Sequence, residues 1–193
     1  MYSDIKTYIY KNISDIDTLV NACSTDTRIR DECAKFSFWK PIFEQYSLPL
    51  PNEPYNTAKD WIDEYIITRE SKDLTDKIIN YVNNNKEGLI LIYPIDPIKF
   101  DDVDTSLNVG SRKRWEGHSQ RWIVYYFTIS KYTINSFIIK VFLAGVEESY
   151  IISHDQFSKF IFDILYRYCV KIEYENDKGK LVDSDENCGD ENY

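Results

Sequence analysis

The first fifty residues carry apolar side chains at helical spacing. These side chains recur every three or four positions, as one buried helix face requires: Ile5, Tyr8, Ile9, Ile13, Ile16, Leu19, Val20 and Cys23. Ser14 and Ser24 stand where helix N-caps belong, because each precedes a further apolar run. The pattern predicts three compact helices within residues 4–46.

A proline-rich segment separates these residues from the next helical pattern. Three prolines lie within 47–54, and proline removes an amide donor and disfavours helix in the residue before it. Residues 51–56 are therefore predicted to form a linker. Beyond it, apolar residues at helical spacing around Trp61 and again around Ile78 predict two amphipathic helices, arranged as an antiparallel pair.

From residue 89 the pattern changes to extended runs rich in β-branched and aromatic residues. We expect strands at 89–93, 122–130, 136–143 and 146–152. The connections between the last three are short enough for hairpins, so an antiparallel meander is the predicted result.

A capping-box pattern follows the meander. Ser153 and Gln156 precede an apolar helical stripe that runs from Phe157 to Tyr168. Residues 169–174 predict a final strand, which gives an α+β fold with this helix covering one face of the sheet. The predicted organisation is a three-helix module at 1–50, a linker at 51–56, a helical pair plus α+β domain at 57–176, and an acidic, disordered tail at 177–193.

Charge and cysteine content limit the classes of function. The formal net charge is −9, so the chain as a whole repels nucleic-acid phosphates and anionic lipid. Its longest apolar runs, 89–95 and 134–145, are shorter than the roughly 20 residues that a membrane-spanning helix needs. No CxxC pair occurs and the N-terminus lacks the pattern of a secretory signal, which predicts a reducing, cytoplasmic location with Cys23 and Cys33 as buried free thiols.

The sequence holds few groups suited to catalysis. His154 lies inside the capping box, where a role in starting the helix is the more common one. His118 has no nucleophile placed beside it, and no phosphate-binding or metal-binding motif occurs. We therefore expect a protein that is not an enzyme and that uses no cofactor or metal.

One concentrated basic segment lies at 112–122, where cations interleave with Trp115 and Trp122. The cations are Arg112, Lys113, Arg114 and Arg121. This combination fits a polyanion such as RNA, or an acidic protein surface. It also fits a solvated loop that leads into a strand, which is the interpretation we favour.

The string DIDTLVNACSTDTRIRDECAKFSFWKPIF, residues 15–43, resembles the F-box, in particular the divergent F-box-like modules of large DNA viruses of protists. The matching features are Leu19, Cys23, the Ser24-Thr25-Asp26 turn, Arg28, Arg30, Cys33 and the Phe38-Trp39-Lys40 signature. The resemblance covers about a quarter of the chain.

The resemblance implies a viral, non-catalytic protein of the host cytoplasm that docks on the Skp-family adaptor of a cullin ubiquitin ligase. The rest of the chain would then recruit an unknown target protein, through a sheet edge or the basic loop. The implied adaptor-facing residues are Ile5, Ile9, Ile13, Leu19, Trp39, Ile42 and Phe43. The same residues would equally pack on the predicted helices at 57–84, because an apolar stripe does not reveal which neighbour buries it.

Two other hypotheses come from different classes of protein. One is a structural or virion-associated interaction protein without adaptor binding. The other is an RNA-associated protein that uses the basic segment 112–122.

Overall fold

The computed structural model describes residues 16–25, 27–85, 88–94, 98–99, 123–143 and 146–187. The chain divides into two compact units, Met1–Glu70 and Ser71–Tyr193. The predicted α+β fold class is confirmed, because the described part of the first unit is helical and the second combines helices with an antiparallel sheet.

The helices of the first unit enclose a core rich in aromatic rings. They are α1 (Ile16–Thr25), α2 (Thr27–Cys33), α3 (Phe36–Gln45) and, as far as Glu70, the start of α4 (Ala58–Asn84). The buried core consists of Leu19, Cys23, Cys33, Phe38, Trp39, Ile42, Phe43, Leu48, Ala58, Trp61, Ile62 and Tyr65. Three helices thus lie between residues 16 and 45, where short helices are predicted; the predicted helical positions before residue 16 lie outside the described residues.

The proline-rich segment is not a spacer between domains. Leu48 is buried in the same core as Trp61, and the Trp61 indole N–H donates to the Tyr55 carbonyl oxygen at 3.1 Å. The Tyr55 hydroxyl donates to a Glu64 carboxylate oxygen at 2.7 Å. The prolines exclude helix here, but these contacts hold the segment on the start of α4. The boundary between the units therefore falls at Glu70 and not at the predicted linker.

The predicted helical pair is wrong, because α4 is one continuous helix of 27 residues. Reversing the chain requires a turn, and the polar stretch 68–73 between the two apolar stripes contains no glycine or proline. Instead, Lys72 forms an ion pair with Asp76 one turn later, and the Thr75 hydroxyl donates to the Ser71 carbonyl oxygen at 2.7 Å. The first stripe packs in the first unit and the second stripe packs in the second.

The described part of the second unit is built on a seven-stranded antiparallel sheet. The strands are β1 (Leu89–Pro94), β2 (Ile98–Lys99), β3 (Ile123–Thr133), β4 (Ser136–Leu143), β5 (Val146–Ser153), β6 (Val170–Glu175) and β7 (Leu181–Asn187). Their order across the sheet is β5-β4-β3-β1-β6-β7, with β2 paired to β3. The predicted meander of β3, β4 and β5 is confirmed.

Helices cover one face of this sheet, which we call the inner face. Its strand residues are Ile90, Ile92, Phe127, Ile129, Phe137, Ile139, Val141, Ile152, Val170, Ile172 and Tyr174. They pack against α5 (His154–Arg167) through Phe157, Phe160, Ile161, Ile164 and Leu165, and against α4 through Ile78, Ile79 and Val82. The predicted covering helix is therefore confirmed.

The capping box at the start of α5 is also confirmed. The Ser153 hydroxyl accepts the backbone N–H of Gln156, and the Gln156 side-chain oxygen accepts the backbone N–H of Ser153 at 3.0 Å. Two amides that have no partner inside the helix are satisfied in this way.

Strand β7 lies where the sequence predicts a disordered acidic tail, so that prediction is wrong for residues 181–187. Lys77 of α4 reaches Asp183 at 2.9 Å and Asp185 at 2.7 Å. The Asn187 side chain donates to the Leu165 carbonyl oxygen at 2.7 Å. These partners come from distant parts of the unit, and the composition of the tail gives no sign of them.

The cysteine prediction is wrong as well. Cys23 and Cys33 form a disulfide whose Cα atoms are 5.8 Å apart, Cys169 is also disulfide-bonded, and the fourth cysteine of the sequence, Cys188, lies outside the described residues. Helices α1 and α2 bring together two cysteines that are 10 residues apart in the sequence. Disulfides are typical of oxidising environments, which argues against the predicted reducing location. None of the helices in the described ranges is both long enough and apolar enough to cross a membrane.

Candidate interaction surface

Four of the predicted adaptor-facing residues are core residues of the first unit. Leu19, Trp39 and Phe43 have no exposed surface and Ile42 is 2% exposed. The Trp39 ring is stacked on the Trp61 ring with centroids 6.1 Å apart. Side chains buried in this way offer no surface to a partner, so their burial argues against adaptor contact through these four residues.

The remaining predicted site residues lie outside the described residues. They are Ile5, Ile9 and Ile13 of the adaptor set and Arg112, Lys113, Arg114 and Arg121 of the basic segment. His118 lies outside the described residues too.

His154 is the first residue of α5, directly after the N-cap Ser153. Its imidazole Nδ1 is 3.8 Å from a carboxylate oxygen of Asp155, whose side chain is fully in solvent. Its ring centroid is 5.8 Å from that of Phe137. This surface position at a helix start brings no nucleophile to the imidazole among the described residues.

The second face of the sheet, which we call the outer face, carries an apolar surface that neither helix of the unit covers. Strand register alternates side chains between the two faces, so the residues one step from the inner set point outward. The apolar members with described side chains are Leu89, Leu91, Tyr93, Tyr126, Ile138, Phe142, Ile151 and Leu181. None of them belongs to either hydrophobic core.

Three rings form an aromatic strip across this face. Phe142 of β4 stands opposite Tyr126 of β3, and the two rings are stacked with centroids 4.1 Å apart. The Tyr93 ring of β1 lies 5.8 Å from Tyr126 on its other side. Beside the strip, Ile151 is 60% exposed and pairs with Ile138. The face therefore offers large, partly exposed rings on three neighbouring strands.

Acidic side chains border the aromatic strip. Burial raises the pKa of Tyr93, and the charges of Glu173 and Glu175 raise it further because they oppose a phenolate. Lys171 binds Glu173 at 2.6 Å on the neighbouring strand. The hydroxyl of Tyr93 is thus held in its neutral form, as a hydrogen-bond donor beside carboxylates.

The described side chains of the outer face include more acids than bases. Its described charged residues are Lys140, Lys171, Glu147, Glu173, Glu175 and Glu186. Four glutamates and two lysines give a net charge of −2, although Lys140 binds Glu147 at 2.8 Å. Such a face repels phosphate groups.

No known protein family, curated protein or solved structure matches the chain. The F-box resemblance of residues 15–43 therefore stays a prediction.

The sequence pattern predicts these strands but does not separate their faces. Both faces of β1, β3 and β4 carry apolar residues, so period-two alternation is weak. The available signal is the recurrence of rings at Tyr93, Tyr126 and Phe142, one in each of three predicted strands. Only the register and the position of the helices show that these rings share the face opposite α4 and α5.

Proposed function

We propose that the chain is a non-catalytic interaction protein whose second unit binds a partner protein on the outer face of its sheet. The observation that carries the proposal is the aromatic strip, because Tyr93, Tyr126 and Phe142 stack along this face and belong to neither core. Contiguous apolar surface of this kind marks interaction sites. Aromatic side chains also supply much of the binding energy at protein interfaces.

In the adaptor form of this proposal, the first unit docks on a Skp-family adaptor in the cytoplasm and the outer face recruits the target. Docking then depends on Ile5, Ile9 and Ile13, since the other four predicted residues are buried in the core.

The second candidate is a structural or virion-associated interaction protein without adaptor binding. The Cys23–Cys33 disulfide favours it, because disulfides persist at virion and cell surfaces and are rare in cytosolic proteins. RNA binding through residues 112–122 is not part of either form, because the formal net charge of −9 on the chain opposes it.

Peptide selection tests the proposed binding face. Peptides selected from a random dodecapeptide display library on the wild-type chain should bind Phe142→Ser at least about tenfold more weakly, because truncating a central aromatic anchor removes more than about 1.4 kcal/mol. The matched control is Phe162→Ser: Phe162 is a half-buried ring stacked on Tyr166 of α5 at 5.7 Å, away from the sheet face. Equal binding by both variants would refute the proposal.

Gel filtration with a purified Skp-family adaptor separates the two candidates. The adaptor form predicts a complex that is lost in Ile9→Asp and kept in Ile134→Asp, a matched change at an isoleucine that is 82% exposed. Leu19→Asp is unsuitable, because a charge placed in the core would unfold the unit. No complex, with the disulfide either intact or reduced, would select the second candidate.

A further inference from the structure

Both edge strands of the sheet are acidic. Strand β5 contains Glu147 and Glu148, strand β7 contains Asp183, Asp185 and Glu186, and neither contains a lysine or an arginine. Like charges on an edge oppose pairing with the same edge of a second copy. With a net charge of −9 on each chain, a second copy is a poor occupant of this sheet.

The molecule shows how its own aromatic rings and carboxylates hold a cation. The Lys77 ammonium lies 5.0 Å from the centroid of the Tyr174 ring, 2.7 Å from Asp185 and 2.9 Å from Asp183. The cation gains from the ring quadrupole and from charge-assisted hydrogen bonds at the same time.

The outer face carries the same kinds of groups on the neighbouring strands β1 and β6. Tyr93 stands opposite Lys171, and Glu175 stands opposite Leu89 at the other end of β1. Lys171 binds Glu173, whereas no cation within the described ranges is paired with Glu175. The fold does not use the Glu175 side chain for its contact with α4, since it is the Glu175 carbonyl oxygen that accepts the Tyr81 hydroxyl at 2.7 Å.

We infer that the outer face binds a basic segment of a partner protein, with a lysine or arginine at Glu175 and with apolar side chains along the strip of Tyr93, Tyr126 and Phe142. The inference rests on the proposed function and names the chemistry of its partner. A phosphate-bearing partner is disfavoured by the net charge of −2. Attraction across a solvated acidic rim is screened by ions, so binding should weaken as salt is added.

The selected dodecapeptides test the inference directly. Peptides that need Phe142 should be enriched in lysine and arginine. Replacing those cations with glutamine in the leading peptide should weaken binding at least about tenfold. In the protein, Glu175→Lys should weaken binding about tenfold, because an attractive contact becomes repulsive. Glu53→Lys is the matched control, since Glu53 is an exposed loop residue of the first unit and the charge change is the same. Glu175→Gln, which adds no positive charge, should give a smaller loss and guards against misfolding of the lysine variant.

The possible outcomes separate the two proposals. In one outcome, the selected peptides require Phe142 but carry no excess of cations and bind Glu175→Lys as well as they bind the wild type. This result would overturn the inference of a basic partner and leave the proposed function standing. Peptides that do not need Phe142 overturn both proposals. Binding of single-stranded poly(U) RNA to the wild type, with loss of this binding in Phe142→Ser, would also overturn the inference of a basic partner. Selection of basic peptides whose binding is weakened by Phe142→Ser, by Glu175→Lys and by added salt would support the inference of a basic partner.

Discussion

Replacing Phe43 with alanine tests whether the aromatic residues of α3 form a core or a docking surface. The Phe43 side chain has no exposed surface, and its ring centroid lies 5.8 Å from that of Tyr65 and 6.2 Å from that of Trp61. Alanine would leave a cavity between these rings. Such a change in a protein core costs about 3–5 kcal/mol.

This cost is large compared with the stability of the unit. At about 0.05–0.15 kcal/mol per residue, a unit spanning Met1–Glu70 has a free energy of unfolding of about 4–10 kcal/mol. Phe43→Ala should therefore remove a third of it or more. Phe36 is the matched control, because it lies on the same helix and is 40% exposed. Phe36→Ala should cost about 1 kcal/mol or less.

Guanidinium denaturation followed by tryptophan fluorescence measures both costs. Trp39 and Trp61 are stacked in this core, and replacing Trp115 and Trp122 with phenylalanine in every variant restricts the signal to it. A Phe43→Ala cost no larger than that of Phe36→Ala would refute the core assignment. It would also restore Phe43 as a candidate for adaptor docking.

Three further predictions concern local contacts. Replacing both Cys23 and Cys33 with alanine should lower the stability of the first unit by about 2.5–3 kcal/mol in the chain-entropy treatment, because the disulfide closes a loop with a sequence separation of 10; chemical denaturation measures the loss. Ser153→Ala should cost about 1 kcal/mol through loss of the α5 cap, and thermal melting detects it. The protection factors of the β7 amides, which correct exchange rates for the intrinsic pH dependence of exchange, should be highest between about pH 4 and pH 10. The pKa of Asp183 is lowered from 3.8 by its hydrogen bond to Lys77, so this contact stabilises above 3.8 and is lost as pH falls through the lowered value. The pKa of Lys77 is raised from 10.5, chiefly by its hydrogen bond to Asp185, so its contribution is complete below 10.5 and is lost as pH rises through the raised value.

Each of these has a contrary outcome. Unchanged stability after loss of both thiols would show that the disulfide does not constrain the unfolded chain. Ser158→Ala, at a half-buried position inside α5, is the control for Ser153, and equal losses would exclude a capping effect. Lys77→Met should remove the loss of β7 protection at acid pH; an unchanged loss would mean that Lys77 does not hold this strand.

Local features of the fold could be predicted from the sequence. The capping box of Ser153 and Gln156 involves neighbours three residues apart, so the start of α5 is contained in its own segment. The meander likewise depends on short connections between β3, β4 and β5, which fix the pairing of adjacent strands.

Features that depend on distant partners could not be predicted. The acidic strand β7 is stabilised by Lys77, which lies 108 residues from Asp185, and composition alone indicates disorder there. The apolar stripe of α3 gives the spacing of Trp39, Ile42 and Phe43 but not the identity of their neighbour, which is the start of α4. The outer face could not be recognised for the same reason, because its definition requires the strand order and the position of the helices.

The most direct test of the account is site-specific photo-crosslinking of the leading selected peptide. A photo-reactive phenylalanine analogue is placed at position 142 on the outer face or at position 162 on α5. We predict a crosslink from position 142 that free peptide abolishes by competition, and none from position 162. A crosslink from position 162 alone, or equal crosslinks from both positions, would contradict the assignment of the outer face as the binding surface.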